Sequence, residues 1–268
     1  MEPFDVEKPI IGVIHLLPLP GTPRGQNFDL VLKRAVSEAL ILEEGGADGL
    51  IIENFGDLPY AKDVAGYETV AFMTAIMREI SMSVSLPLGI NVLRNCVEAA
   101  IAVAAAAGGK FIRANIWMGA YLTDQGLIEG KAYSALRFRK MLGADHIKVF
   151  ADIRVKHAHP IVPISIEDEV KDNIERGLAD ALIVTGNRTG QPPAADYVLN
   201  VKKIAGNIPV LIGSGLNTNN AKELLSIADG AIVGTFFKID GIVTNPIDIK
   251  RVRALMTIVK EMRKTKQK

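Results

Sequence analysis

Short apolar runs rich in Ile and Val alternate along the chain with longer segments of Ala, Leu, Glu and Lys. The short runs fall at 10–15, 49–53, 88–92, 111–115, 147–152, 181–185, 210–213 and 231–234. They are almost continuously apolar, the pattern of parallel strands covered on both faces. Helical spacing occupies the segments between and after them, at 30–44, 67–82, 96–107, 133–142, 166–178, 194–204, 221–227 and 247–264. Eight strands, each followed by a helix, within about 250 residues is the count of a (β/α)8 barrel. An open doubly wound sheet is the alternative, and it would usually carry G-x-G-x-x-G after its first strand. Here the first strand leads into His15-Leu16-Leu17-Pro18-Leu19-Pro20-Gly21, which cannot make that turn. No Pro/Ser-rich linker interrupts the pattern, so 1–268 reads as a single α/β barrel domain.

The ends of the predicted helices carry their own signals. Asn95 stands before Cys96 with Glu98 three residues on, which is close to a capping box. Gly45-Gly46 and Gly108-Gly109 suit helix C-caps. Two connections, 18–29 and 116–132, are too long for plain links and read as lids or binding loops. Both leave the C-terminal ends of strands. The second holds Trp117, Tyr121 and the turn-forming Asp124-Gln125-Gly126, and it predicts a small hairpin lid or an oligomer contact.

Composition narrows the class. Apolar residues make up 49% and charged residues 23%, which excludes a disordered chain. A net charge of +1 argues against a nucleic-acid coat. Cys96 is the sole cysteine, so no intrachain disulfide forms. The opening Met1-Glu2-Pro3-Phe4-Asp5 is not a secretory leader, and the apolar run 99–107 is too short for a transmembrane span. A cytoplasmic protein is expected. The basic tail from Lys260 to Lys268 reads as a frayed, solvated end.

The candidate chemistry gathers where strands end. Val210-Leu211-Ile212-Gly213-Ser214-Gly215 runs a strand into a Gly-rich turn, and Val233-Gly234-Thr235 repeats the device one strand later. Loops after the seventh and eighth strands of barrels commonly hold phosphate, through backbone N–H groups that glycine lets approach. Gly213, Ser214, Gly215, Gly234 and Thr235 are therefore candidate phosphate ligands, against tight turns as the plain reading. Arg188, in Thr185-Gly186-Asn187-Arg188-Thr189-Gly190, is a candidate anion partner or a surface loop residue. Other strand ends supply His15, Glu53-Asn54, Asn91, Arg113, Asn115 and Asp152. A ring of polar groups at a barrel mouth is hard to explain as packing, because buried polar groups need partners.

Glu53 and Asp152 could serve as general acid and base or hold a divalent cation such as Mg²⁺. Asp152-Ile153-Arg154-Val155-Lys156-His157-Ala158-His159 is the densest reactive cluster. If the strand continues, alternation puts Asp152, Arg154 and Lys156 on one side. Lys156 is a Schiff-base amine or an anion clamp. His157 titrates near neutrality, and His157-x-His159 lacks further ligands for a clear zinc set. Cys96 reads as packing.

Several of these segments together resemble the BtpA/SgcQ family. They are Gly12-Val13-Ile14-His15-Leu16-Leu17-Pro18-Leu19-Pro20-Gly21-Thr22-Pro23, Ile52-Glu53-Asn54-Phe55-Gly56-Asp57, Gly89-Ile90-Asn91-Val92-Leu93-Arg94-Asn95, and Ala151-Asp152-Ile153-Arg154-Val155-Lys156-His157-Ala158. The later glycine motifs match as well. The resemblance implies a TIM barrel related to ribulose-phosphate-binding barrels. It also links photosynthetic relatives to photosystem I biogenesis, as membrane-associated factors, and some members to carbohydrate pathways. Two functions are weighed. One is an enzyme on a phosphorylated sugar or nucleoside, with Glu53 or Asp152 as acid or base, and Lys156 and His157 facing developing charge. The other is a non-catalytic assembly factor with an adhesive apolar patch around Trp117 and Tyr121. The ring of polar strand ends favours the enzyme. A homo-oligomer is expected in either case.

Overall fold

The computed structural model describes residues 1–186 and 190–266. Eight parallel strands among them close into a barrel. They are β1 (Ile10–His15), β2 (Gly49–Glu53), β3 (Leu88–Asn91), β4 (Phe111–Ala114), β7 (Lys148–Ile153), β9 (Ala181–Val184), β10 (Val210–Ile212) and β11 (Gly230–Val233). Around the barrel the order is β1, β11, β10, β9, β7, β4, β3, β2, and β2 pairs back to β1. The covering helices are α1 (Phe28–Gly45), α2 (Tyr67–Ser83), α3 (Val97–Ala107), α4 (Ala132–Met141), α5 (Ile166–Lys171), α6 (Ala195–Ala205), α7 (Ala221–Ile227) and α8 (Ile249–Lys266). The expected (β/α)8 TIM barrel is therefore the fold.

Alternation along each strand splits two cores. Ile10 and Ile14 of β1 face the helices, whereas Ile11 and Val13 face the barrel interior. The interior is filled by stacked Phe111 and Phe150, with ring centroids 4.7 Å apart. Phe4, from the segment before β1, closes the bottom edge-on to Phe111 at 5.7 Å. Gly89 makes room for this layer, since a Cβ there would lie 2.1 Å from the Phe111 ring. The interior above the aromatic layer is left to the polar strand ends.

The loop after β4 forms the expected hairpin, β5 (Ala120–Thr123) and β6 (Gly126–Glu129). Its third strand, β8 (Ala158–Pro160), was not expected, because its pairing with β5 joins segments far apart in sequence. Ile116, Tyr121, Ile128 and Val155 make a small core of their own beneath this sheet. Trp117 is buried and donates from Nε1 to the Gly177 carbonyl at 2.8 Å. Tyr121 is buried and donates to Glu169 Oε1 at 2.7 Å. An adhesive patch at Trp117 and Tyr121 is thus ruled out, since both side chains serve the fold.

Further expectations are corrected. Asn95 does not cap α3. Its backbone is left-handed (φ 61°), and its side chain instead brackets Ile116, accepting from the amide at 2.8 Å and donating to the carbonyl at 3.0 Å. The segment 166–178 is not one α-helix, because a π-helical turn, Asp172–Arg176, follows α5. The tail is not simply frayed. Helix α8 continues to Lys266, and Arg263 grips Asp48 with both terminal nitrogens while bonding the carbonyls of Glu7 and Lys8. Gly46 and Gly108 do end α1 and α3 in left-handed conformation.

Truncating the interior aromatic layer tests this account. Phe111→Ala should lower unfolding free energy by about 3–5 kcal/mol in urea titration. Gly89→Ala should destabilise by about 1–3 kcal/mol through overpacking, and Phe111→Leu in the same chain should recover part of that loss. Additive losses would show that the two positions do not compete for one space.

Candidate functional site at the C-terminal mouth of the barrel

Register builds the site. His15 pairs laterally with Glu53, and Glu53 with Asn91, so three inward side chains stand abreast at the ends of β1, β2 and β3. Arg113 and Asp152 reach the same level from β4 and β7, with Asn115 just beyond β4. All of these except His15 are buried to the extent of 6% exposure or less.

Arg113 sits between two carboxylates. Its Nε and Nη2 donate to Asp152 Oδ2 and Oδ1, each at 3.0 Å, and its Nη1 donates to Glu53 Oε1 at 3.1 Å. Asn115 adds a 2.7 Å bond to Asp152 Oδ2, and Asn91 a 3.2 Å bond to Glu53 Oε1. Burial opposes the charge on Arg113, but Asp152 and Glu53 outweigh it and hold its pKa above the usual value. The Mg²⁺ site weighed for Glu53 and Asp152 is filled by this guanidinium. Among the described residues no group of three or more His, Cys, Asp and Glu side chains is placed to hold a metal ion.

The two carboxylates are not equivalent. Both oxygens of Asp152 are engaged, and its side chain is fully enclosed. At Glu53 both bonds go to Oε1, and Oε2 meets no donor among the described residues. Glu53 lines the cavity above, whereas Asp152 lies behind Arg113 and does not.

That cavity has a volume of about 480 Å³, within the usual range for small-molecule sites. Of the residues expected at the site, His15, Glu53, Asn91, Lys156 and His157 line it, as do Gly213, Ser214, Gly215, Gly234 and Thr235. Arg188 lies outside the described residues. Arg154 is not among them, because β7 ends at Ile153 and a left-handed turn at Arg154 (φ 49°) breaks the alternation. Its guanidinium binds Glu169 Oε2 at 3.2 Å and the Ile164 carbonyl at 2.8 Å. His159 is exposed in β8, away from the cavity lining that includes His157.

Sequence reasoning missed Tyr60, Arg94, Asp124 and Arg251 in the lining. Arg94 donates to the Lys156 carbonyl at 2.6 Å, tying the loop after β3 to the loop after β7. Asp124 caps the hairpin turn, which sequence did mark. Arg251 comes from the first turn of α8, where no local signal distinguishes it. Its Nε donates to the Phe236 carbonyl at 2.5 Å, and its guanidinium lies over the Phe236 ring.

Loop positions are fixed by buried polar side chains. Asn54 accepts from the Leu93 amide at 2.7 Å and donates to Asp57 at 3.0 Å, and Asp57 accepts from the Leu19 amide at 2.8 Å. The loops after β1, β2 and β3 are thereby tied to one another. On the far side the Ser214 hydroxyl donates to the Gln191 carbonyl at 2.8 Å and accepts from the Gly186 amide at 3.1 Å. Its single donor is spent on the loop after β9. Gly215 is left-handed (φ 72°), and a Cβ there would lie 2.1 Å from the Pro192 nitrogen. A Cβ at Gly234 would lie 2.5 Å from His15 Cε1, so glycine lets the imidazole cover that strand end.

Electrostatics shift two bases. Burial, and next the Arg113 charge, push Lys156 down to about 8, with Glu53 and Asp152 pulling the other way. Burial, then the charges of Lys238, Lys156 and Arg113, hold His15 well below the usual imidazole value. His15 Nδ1, Arg94 Nε and Asn115 Oδ1 are buried without a hydrogen-bond partner among the described residues, a concentration of unmet polar groups at one cavity.

The fold and site together define a TIM-barrel protein with a polar, charge-lined cavity at the C-terminal ends of its strands. A BtpA family model matches residues 6–261, and the chain belongs to that family. It is 45% identical over 251 residues to an uncharacterized protein of Pyrococcus furiosus, covering 93% of this chain and 94% of the other. It is 43% identical over 264 residues to the photosystem I biogenesis protein BtpA of Synechocystis, covering 98% and 92%. An uncharacterized mitochondrial protein of Caenorhabditis elegans is 36% identical, covering 95% and 94%. Among solved structures, N-(5'-phosphoribosyl)anthranilate isomerase from Pyrococcus furiosus superposes with a TM-score of 0.58 at 15% identity, covering 94% of this chain and 99% of the other. That likeness is one of fold. No helix among the described residues is long and apolar enough to cross a membrane.

Two variants probe the electrostatics. Arg113→Met leaves two buried carboxylates without their cation and should destabilise by about 3–5 kcal/mol in chemical unfolding. His15 binds its proton more weakly folded than unfolded, so the unfolded chain takes up more protons as pH drops below about 6.5. Native stability therefore falls with pH there, by at most about 1.4 kcal/mol per pH unit from this group. Melting curves from pH 8 to pH 5 should show a shallower decline in His15→Asn than in the wild type, and parallel declines would refute the assignment.

Proposed function

We propose that the chain is an enzyme acting on a phosphorylated sugar or nucleoside, with the phosphate on one wall of the cavity and the reacting end on the other. Barrel order separates the two walls. The glycine loops follow β10 and β11, which stand four strands from β3 and β4 respectively, the strands that carry Asn91 and Arg113. The observation that carries the reading is Arg251. It is a permanent cation lining the cavity beside Thr235 and Phe236, with no carboxylate within 4.0 Å among the described residues. A part-buried cation without a counter-ion suits an anionic ligand.

In this reading Gly215, Gly234 and Thr235 offer backbone and hydroxyl donors to the phosphate, with Arg251 as its cation, whereas the Gly213 amide is taken by the Val184 carbonyl at 2.8 Å and Gly213 shapes the turn. Ser214 shapes the loop rather than touching the ligand. Arg188 stays a candidate partner for the same phosphate. Glu53, through Oε2, is the general base or acid. Asp152 is a positioning residue that holds Arg113, and Arg113, Lys156 and His157 face negative charge developing at the reacting end. Names of structural neighbours such as the phosphoribosyl isomerase lend this reading a precedent in kind. The second reading, an assembly factor like the Synechocystis relative, draws on a different surface. Leu122 and Leu127 pair across the hairpin and are 60% and 42% exposed, and Ile161 and Val162 are exposed nearby.

Thermal shift with inorganic phosphate and with phosphosugars distinguishes them. A ligand at about a hundred times its Kd adds roughly 2.7 kcal/mol, which raises Tm by a few degrees. The wild type should show that shift, and Thr235→Asp, which sets an anion among the phosphate donors without altering a glycine, should lose it. A shift retained in Thr235→Asp, or none with any phosphorylated compound, would reject the phosphate wall.

A further inference from the structure

Lysine is the one common cation that can also act as a nucleophile, and the chain holds two that are withdrawn from water in different ways. Lys238 is buried against Glu38 at 2.7 Å, with Glu38 also bound by Arg34, so its charge is matched and its role is to join α8's neighbouring turn to α1. Lys156 lines the cavity with no hydrogen bond from its amine and no carboxylate within 4.0 Å among the described residues. It is placed by its backbone instead, since its carbonyl accepts from Arg94 Nη2. The cavity already has permanent cations in Arg94 and Arg251 for holding an anion. An amine left unpaired beside them is poorly explained as one more clamp.

Resting on the reading above, we infer that Lys156 is a covalent nucleophile, and that the ligand of this cavity carries an aldehyde or ketone carbonyl in addition to its phosphate. The neutral amine attacks the carbonyl carbon, a C–N bond forms, and the carbonyl oxygen becomes the hydroxyl of a carbinolamine. Loss of that oxygen gives the imine. Both hydrogens of the amine leave with the oxygen as water, so no oxidant, reductant or further reactant is needed. Glu53 Oε2 is the unbonded carboxylate oxygen lining the same cavity and relays the proton from nitrogen to oxygen. Arg113, held by both carboxylates, sets a fixed positive charge near the amine. Burial first, and this charge after it, disfavour the ammonium form against the pull of Glu53 and Asp152, and so raise the share of nucleophile at neutral pH. An imine to such a lysine makes the adjacent carbon acidic, so the reaction class served is proton abstraction or carbon–carbon cleavage next to a carbonyl.

The test is reductive trapping on the full chain. Protein is incubated with glycolaldehyde phosphate and cyanoborohydride, digested, and the secondary amine located by peptide mass spectrometry. Lys156 should be modified at least about tenfold faster than any other lysine at pH 7.5, following the greater neutral fraction of its amine. Its rate should level off above about pH 8, whereas that of surface lysines keeps rising. Lys156→Arg should lose the modification and keep the phosphate-induced thermal shift. If phosphate shifts Tm but Lys156 is modified no faster than surface lysines, the imine is overturned and the phosphate reading stands. If glycolaldehyde and its phosphate label Lys156 equally fast and phosphate gives no shift, the imine stands and the phosphate wall is the part that fails.

Discussion

Arg113 is the constraint on which the mouth of the barrel depends. One guanidinium reaches Glu53 on β2 and Asp152 on β7, so β2, β4 and β7 are cross-linked from inside through a single planar fork. Bidentate geometry at Asp152 fixes the plane of the guanidinium, and that plane decides which nitrogen meets Glu53. With Oε1 of Glu53 taken, Oε2 is turned to the cavity. Burial above all lowers the proton affinity of Lys156 and His15, and the same cation adds to that effect at both.

Below the triad the barrel is dry and aromatic, and above it the cavity is polar. The boundary is sharp because the layers are set by register. Phe111 and Arg113 are two residues apart on β4, and Phe150 and Asp152 two apart on β7, so each strand changes from apolar to charged in one pleat. Water is kept from the underside of the triad, which strengthens every charge interaction within it.

Asymmetry between the two halves of the mouth follows from how each set of loops is tied. Asn54 and Asp57 bind the loops after β1, β2 and β3 to one another, while the hairpin and β8 bind the loop after β4 to the loop after β7. These are side-chain and sheet bonds around ionisable groups. The loops after β9 and β10 are instead joined by close backbone approach at Gly215 and by the Ser214 hydroxyl. One half presents several ionisable side chains and the other presents main chain with the Arg251 guanidinium beside it.

Sequence alone determined the barrel, its eight strands and the level at which polar groups appear, because a period of two and the spacing of helices are local properties that each segment carries by itself. It also placed His15, Glu53, Asn91 and the glycine turns near one another, since all of them lie at the ends of strands of one closed sheet, with Lys156 three residues beyond the end of β7. Tertiary structure decided what each does. Glu53 and Asp152 look alike in sequence, and only partners 60 and 39 residues away leave one with an unbonded oxygen and the other with none. Arg154 and Lys156 share a strand phase in sequence, and a single left-handed residue separates them. Arg94, Asp124 and Arg251 became visible only when loops and a helix from distant parts of the chain closed over the mouth. Their signal is a meeting of segments, which no local pattern records.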